Sequence, residues 1–309
     1  MTRVLVTGAS GFVGWPLIAE LVQNGDEVHA VSSREPPAEP DGVHWHRADL
    51  AGEGAADALI DELAPERLIH LAWFVEHGRF WSAPENVLWV ERSLRLLRAF
   101  ARAGGKRAVM LGTSAEYDWS AASEPLRELD SPLVPVTMYG VAKDALRRVC
   151  DAYAELERLE LAWGRLFFLY GPREQPGRLV AAVIRSLLAG ERVDVSSGEQ
   201  LRDFLHVEDV ARALVALLAS SVCGPVNIAS GCATPVAEML DQIGALIGRP
   251  ELIVRGGLAD RREEPPLLVA DVTRLREEVG FHPRWELAYG LADTVRWWEQ
   301  QEKAVGKRR

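Results

Sequence analysis

The first fourteen residues constrain this chain more than any other stretch. Val4-Leu5-Val6-Thr7 has the apolar, β-rich character of a buried strand and runs directly into Gly8-Ala9-Ser10-Gly11-Phe12-Val13-Gly14. A helical pattern follows over Phe12–Asn24. A strand that turns at once into a helix is the first half of a crossover, and crossovers pair strands in parallel. The rhythm continues through the first half, with strands expected at Arg3–Thr7, Glu27–Ser32, Val43–Arg47, Arg67–Leu71, Arg107–Leu111 and Leu161–Phe167. Helical patterns lie between them at Ala55–Leu63, Glu85–Ala103 and Tyr139–Leu156. In Glu85–Ala103 the residues Val87, Leu88, Val90, Leu94, Leu97, Phe100 and Ala101 recur at helical spacing.

Alternating β and α units imply an α/β fold, a Rossmann-type doubly wound parallel sheet with helices on both faces. After Gly171-Pro172 the alternation loosens. Helices are expected at Leu179–Ala189, Val207–Ala219, Val236–Ile247, Thr273–Val279 and Tyr289–Gln300, with short strands at Arg192–Val195 and Val226–Ala229. The expected division is a dinucleotide-binding domain over 1–166, to which 203–229 returns. A smaller, discontinuous substrate-binding lobe over 167–202 and 230–309 would cover the C-terminal strand edges, where such sheets bind ligands.

Composition narrows the partners. The chain has 309 residues and a formal net charge of −10, which argues against nucleic acid. The basic end Lys307-Arg308-Arg309 reads as a solvated terminus. No run approaches a membrane span, and a strand pattern from the first residues leaves no room for a signal peptide. Cys150, Cys223 and Cys232 lack CxxC spacing, so no zinc site or disulfide framework is expected and a cytoplasmic setting is.

Gly8, Gly11 and Gly14 follow a strand at GxxGxxG spacing. Glycine there lets the backbone approach a pyrophosphate, and the helix behind it offers N–H groups and a favourable dipole. Ser10, Phe12 and Val13 belong to the same turn, and Asp49-Leu50 and Leu71-Ala72 close later strands at the same edge. At the end of the second strand, NAD sites place an acid on the ribose hydroxyl, whereas NADP sites offer an arginine. Here the chain reads Ser32-Ser33-Arg34, with no acid before Glu35. Two hydroxyls and a guanidinium suit a 2′-phosphate, so NADP(H) is favoured, with NAD(H) the alternative.

Tyr139-Gly140-Val141-Ala142-Lys143 sets a phenol and an ammonium one helical turn apart. Lys143, with an oxidised nicotinamide, is expected to lower the acidity constant of Tyr139, which then passes a proton to or from a substrate oxygen. Lys143 is also expected to hold the nicotinamide ribose. Thr113, after the strand at Arg107–Leu111, is expected to hydrogen-bond the same oxygen, with Ser114 and Glu116 beside it as substrate contacts.

These motifs together resemble an extended short-chain dehydrogenase/reductase, in the branch of NAD(P)-dependent nucleotide-sugar epimerases, dehydratases and ketoreductases. The resemblance spans nearly the whole chain and rests on the Gly8/Gly11/Gly14 turn, Asp49-Leu50, His70-Leu71-Ala72, Thr113–Tyr117, Tyr139/Lys143 and Tyr170-Gly171-Pro172. Arg202–Val210, Asn227–Gly231, Asp271–Leu275 and Trp297-Trp298 continue it. It implies a nucleotide-diphosphate sugar substrate, with Arg202 on its pyrophosphate and Arg261 or Arg262 as a second clamp. It also implies a homodimer through the helices Glu85–Ala103 and Tyr139–Leu156. Asp209 is expected to brace its helix.

The departures are informative. Where 4,6-dehydratases of this family carry Thr-Asp-Glu, this chain has Thr113-Ser114-Ala115, which offers no acid–base pair for dehydration. Two asparagines of the family pattern are Trp89 and Phe168. The aromatics Trp73, Phe74, Phe80, Trp81, Trp89 and Trp119 gather near the expected pocket, where packing is their commoner role. The expectation is a reductase of a 4-keto-6-deoxyhexose nucleotide. A 4-epimerase with bound NAD is the alternative, and a non-catalytic nucleotide sensor on the same fold the third possibility.

Overall fold

The computed structural model describes residues 2–35, 40–121, 123–260 and 265–306. Arg261, Arg262 and the basic end 307–309 therefore lie outside the described residues. The first half runs β1 (Arg3–Thr7), α1 (Gly14–Gln23), β2 (Glu27–Ser32), β3 (Val43–Arg47), α2 (Ala55–Leu63), β4 (Arg67–His70), α3 (Glu85–Arg102), β5 (Arg107–Thr113), α4 (Met138–Glu157) and β6 (Glu160–Leu166). Then come β7 (Phe168–Tyr170), α5 (Leu179–Ala189), β8 (Val193–Val195), β9 (Leu201–Arg202), β10 (Phe204–His206), α6 (Val207–Ala219), β11 (Gly224–Ile228), α7 (Val236–Ile247) and α8 (Leu287–Gly306).

Seven strands form one parallel sheet in the order β11-β6-β5-β4-β1-β2-β3. Its strands alternate between two cores, as the period of two requires. Val4, Val6, Ile69 and Val109 pack with α1 and α6 on one face. Leu5, Leu68, Ala108 and Met110 pack with α2, α3 and α4 on the other. The register sets Thr7 opposite His70 and His70 opposite Met110, so β5 overshoots β4 by three residues. That overshoot lifts Thr113 onto the C-terminal edge. A third core joins α5, α7 and α8 through Ile184, Leu187, Leu240, Ile243 and Leu291. Among the described residues no helix is long and apolar enough to cross a membrane.

Three departures from expectation have local causes. Helix α1 begins at Gly14 rather than Phe12, because Gly8–Val13 is spent in a turn closed by Gly11 N–H donating to Gly8 O at 3.0 Å. Strand β5 continues past Leu111 to Thr113, paired throughout with β6. Thr273–Val279 holds only a π-helical turn at Arg274–Glu278. The small pairings of β10 with β7, β13 (Ile253–Arg255) with β8, and β9 between β12 (Thr234–Pro235) and β14 (Leu267–Leu268) were not expected, since two or three residues show no periodicity; of these strands only β8 was foreseen, at Arg192–Val195.

Buried polar groups bind the later segments to the sheet. Asp203 accepts from Ser230 N–H, Ser230 Oγ, Gly231 N–H and Ala270 N–H. Arg107 donates to Leu217 O, Leu218 O and Val222 O. Asp209 braces α6 as expected, paired with Arg212 at 2.6 Å and accepting from the backbone N–H groups of Arg284 and Trp285. Removing that buried carboxylate takes the acceptor from two part-buried backbone donors and from Arg212. Asp209→Ala should lower unfolding free energy by about 2–4 kcal/mol in a urea titration; an unchanged midpoint would show that the brace carries no stability.

Candidate active site

The glycine turn has three glycines for three different reasons. Gly8 sits at φ +70, and a Cβ on it would lie 2.8 Å from Ala72 N, so the turn runs against the backbone leaving β4. A Cβ on Gly14 would lie 2.5 Å from both Gly8 O and Ala9 O, which is where α1 docks on the turn. Gly11 is exposed and would meet only Gly8 O, at 3.1 Å, so its open side is free for a ligand. Helix α1 has no side-chain cap and no acid in its first turn, leaving its N–H groups and dipole for an anion. These residues fit a dinucleotide pyrophosphate.

At the end of β2, Ser10 Oγ and Ser32 Oγ are 3.2 Å apart, and Arg34 N–H donates to Ser32 Oγ. Ser33 and Arg34 are exposed beside them, and Glu35 is engaged with Arg47 at 3.1 Å. Leu71 N–H donates to Thr7 O, and Ala72 N–H to Thr7 Oγ1. Leu50 is buried, while Asp49 is exposed and caps its own turn through Ala51 N–H. The turn residues Phe12 and Val13 are half-buried.

Thr113, Tyr139 and Lys143 meet at the end of β5. Thr113 caps the short 3-10 turn Ser114–Glu116, and its hydroxyl lies close enough to Tyr139 to favour the ionised phenol. Thr137 caps α4 by accepting from Gly140 N–H, and Tyr139 N–H donates to Trp81 O. A Cβ on Gly140 would lie 2.3 Å from Ala115 O, so α4 touches this turn backbone to backbone. Lys143 is buried; its Nζ donates to Leu111 O at 2.7 Å and lies 3.7 Å from the centre of the Trp73 ring. Burial pulls Lys143 down to about 7, against an opposing pull from Glu116.

Two expectations are corrected. Tyr139 is not acidified by Lys143, whose ammonium is turned to Leu111 O and Trp73. Burial instead pushes the phenol up to about 12, with the Thr113 hydroxyl and the Arg178 charge opposing and Glu116 reinforcing. Tyr139 thus keeps its proton at neutrality. Glu116 is not a substrate contact: it is fully buried, with Oε1 accepting from Thr113 N–H and both oxygens taking Trp163 Nε1–H. Oε2 is also paired with Arg165 at 2.7 Å, leaving neither oxygen for a ligand.

The aromatics pack around the catalytic ring. Trp73, Phe80 and Trp81 stand edge-on to Tyr139 with centroids 6.4, 5.1 and 5.8 Å away. Trp119 contacts Trp81 and donates to Ser114 O. Trp89 packs on Trp73 and His70. Arg202 is buried, donates to Leu201 O and lies over Phe168.

The sequence analysis missed Arg178, which is paired with Glu174 and acts on Tyr139 from the N-cap of α5, and it named Trp73 and His70 without these roles: Trp73 forms the floor beneath Lys143. His70 bridges Thr7 Oγ1 at 2.6 Å and Ser93 Oγ at 2.8 Å. Its place opposite Thr7, on adjacent strand ends, was the available signal.

The sequence matches the family described as "NAD dependent epimerase/dehydratase family" over residues 4–229. It is 28% identical over 314 residues to UDP-glucuronic acid decarboxylase 1 of Xenopus tropicalis, covering 97% of this chain and 72% of that one. It is 28% identical over 334 residues to dTDP-4-dehydro-6-deoxy-D-allose reductase of Streptomyces bikiniensis, covering 97% of each. The structure of MoeE5 in complex with UDP-glucuronic acid and NAD superposes with a TM-score of 0.84 at 33% identity, covering 97% of this chain and 99% of that one.

Burial drives His70 down to about 3, so it is neutral in the fold. A histidine depressed below its unfolded value near 6.5 contributes stability above that pH and loses it as pH falls toward 3. Between pH 7 and pH 4.5 this amounts to about 2 kcal/mol. His70→Gln should therefore lose less stability over that interval than the parent, measured by urea unfolding at both pH values. Equal losses would mean that His70 is not the linked group.

Proposed function

The chain belongs to the NAD dependent epimerase/dehydratase family, and from that premise we propose that it is an NADPH-dependent 4-ketoreductase of a nucleotide-activated 4-keto-6-deoxyhexose. One observation carries the proposal: Tyr139 at the start of α4 stands beside Thr113 at the C-terminal end of β5, so that a phenol and a hydroxyl converge on one place at the sheet edge. Reduction of a ketone needs a proton donor at the nascent alkoxide, and a phenol held above neutrality is one. When bound, the nicotinamide supplies the hydride. Thr113 then steadies the substrate oxygen and Tyr139 delivers its proton to it. Lys143, one turn along α4 from the phenol, is the proposed contact to the nicotinamide ribose.

Other features support this assignment. Ser114 and Ala115 supply no acid–base pair for eliminating water. The Streptomyces bikiniensis relative is by its description a reductase of a 4-dehydro-6-deoxy sugar nucleotide. Ser10, Ser32, Ser33 and Arg34 form an acid-free cluster for the 2′-phosphate of NADPH. The buried guanidinium of Arg202 is the proposed diphosphate contact, with Arg261 a second. Apolar side chains Val87 and Leu88 of α3 and Val149 and Leu156 of α4 are exposed, and we assign them to a homodimer contact. A 4-epimerase retaining NAD is the second reading, favoured by MoeE5, which holds NAD together with UDP-glucuronic acid.

Incubation with NADPH and dTDP-4-keto-6-deoxyglucose should oxidise the cofactor. Tyr139→Phe should cut that rate by about a hundredfold or more while leaving NADPH binding intact. NAD that co-purifies with the protein, with turnover of a UDP-sugar needing no added cofactor, would replace reductase by epimerase. Arg34→Ala should weaken NADPH about tenfold and leave NADH unchanged in a fluorescence titration; equal loss for both would remove the 2′-phosphate assignment.

A further inference from the structure

The carboxylate of Glu116 and the guanidinium of Arg165 are both wholly buried and in contact at 2.7 Å, directly beneath the end of β5. Such a pair is costly to bury and gives little net stability, so its place in the fold asks for another reason. Glu116 belongs to a reciprocal cap: its Oε1 accepts from Thr113 N–H while Thr113 Oγ1 accepts from Ala115 N–H. Gly112 is fitted to it, since a Cβ there would lie 2.3 Å from Glu116 Oε1 and 2.1 Å from Trp163 Nε1. The same three-residue turn is the surface on which Gly140 of α4 rests. Arg165 extends the frame by donating to Tyr117 Oη and Glu128 O, and Tyr117 Oη donates to Asn227 Oδ1.

We propose that Glu116 is a positioning residue for the proton-transfer site: a buried anion, held by Arg165 and Trp163, that sets the separation of Thr113 and Tyr139 and keeps a fixed negative charge behind Tyr139 and Lys143. The kinetic side of this rests on the reductase assignment; the electrostatic side does not. Thr113, Trp163, Arg165 and Tyr117 face Glu116. Tyr139 is faced by Thr113 and by Arg178 with its partner Glu174. Lys143 is faced by Trp73, Leu111 O, His70 and Cys150. Among these, Glu116 is the carboxylate acting on both catalytic groups, and it favours the protonated phenol and the protonated amine together.

Carbon-13 lysine NMR tests this without substrate, because the other lysines are only Lys106, Lys303 and Lys307. The Lys143 signal, identified by its loss in Lys143→Ala, should titrate near pH 7 in the parent. In Glu116→Gln its midpoint should fall by about one pH unit. Because Glu116→Gln leaves Arg165 unpaired, Glu116→Gln/Arg165→Met provides a second background without an isolated buried charge, and the midpoint should fall there too. If the reductase assignment holds, the alkaline limb of the rate profile moves to lower pH in the same variants. An unmoved Lys143 midpoint in either folded variant overturns the proposal. A moved midpoint with no ketoreductase turnover leaves it standing and removes the reductase assignment instead.

Discussion

The site depends on how closely α4 approaches the end of β5. Gly140 brings the helix backbone onto Ala115 O, an approach that any Cβ would block. That contact lets Tyr139 reach the Thr113 hydroxyl across two elements far apart in sequence. It also carries Lys143 under the sheet edge, where Leu111 O and Trp73 hold its ammonium. A second close approach, Gly8 against Ala72, does the same for the glycine turn. Both lie at the C-terminal edge, where parallel strands with right-handed crossovers leave a crevice.

Burial controls the chemistry of this edge. It lifts Tyr139, lowers Lys143 and lowers His70, each away from its ionised form. The phenol stays protonated, the amine sits near neutrality, and the imidazole serves as a neutral bridge between Thr7 and Ser93. The aromatic residues 73–81 cause much of this, because their rings replace water around Tyr139. A donor poised in this way suits ketone reduction, the direction proposed for the enzyme.

Much of the fold was legible because the signals were long or geometrically strict. The helical stripe of Glu85–Ala103 and the alternation of strand and helix placed the seven-stranded sheet to within a residue or two. GxxGxxG after a strand and a tyrosine four residues before a lysine marked the site's two ends. Glu116 was misjudged because a glutamate after a strand reads as exposed, and only the fold brings Arg165 and Trp163 onto it. The acidity of Tyr139 was misjudged for a related reason. Spacing along a helix puts Lys143 on the right face, but side-chain direction is decided by Trp73 and Leu111, which spacing cannot reveal.

The most direct measurement is the fate of the hydride. With NADPH deuterated at nicotinamide C4 and a 4-keto-6-deoxy sugar nucleotide, the account predicts a product with deuterium at C4 and equimolar NADP+ in solution. Product without deuterium at C4, formed while the cofactor stays on the protein, would contradict it.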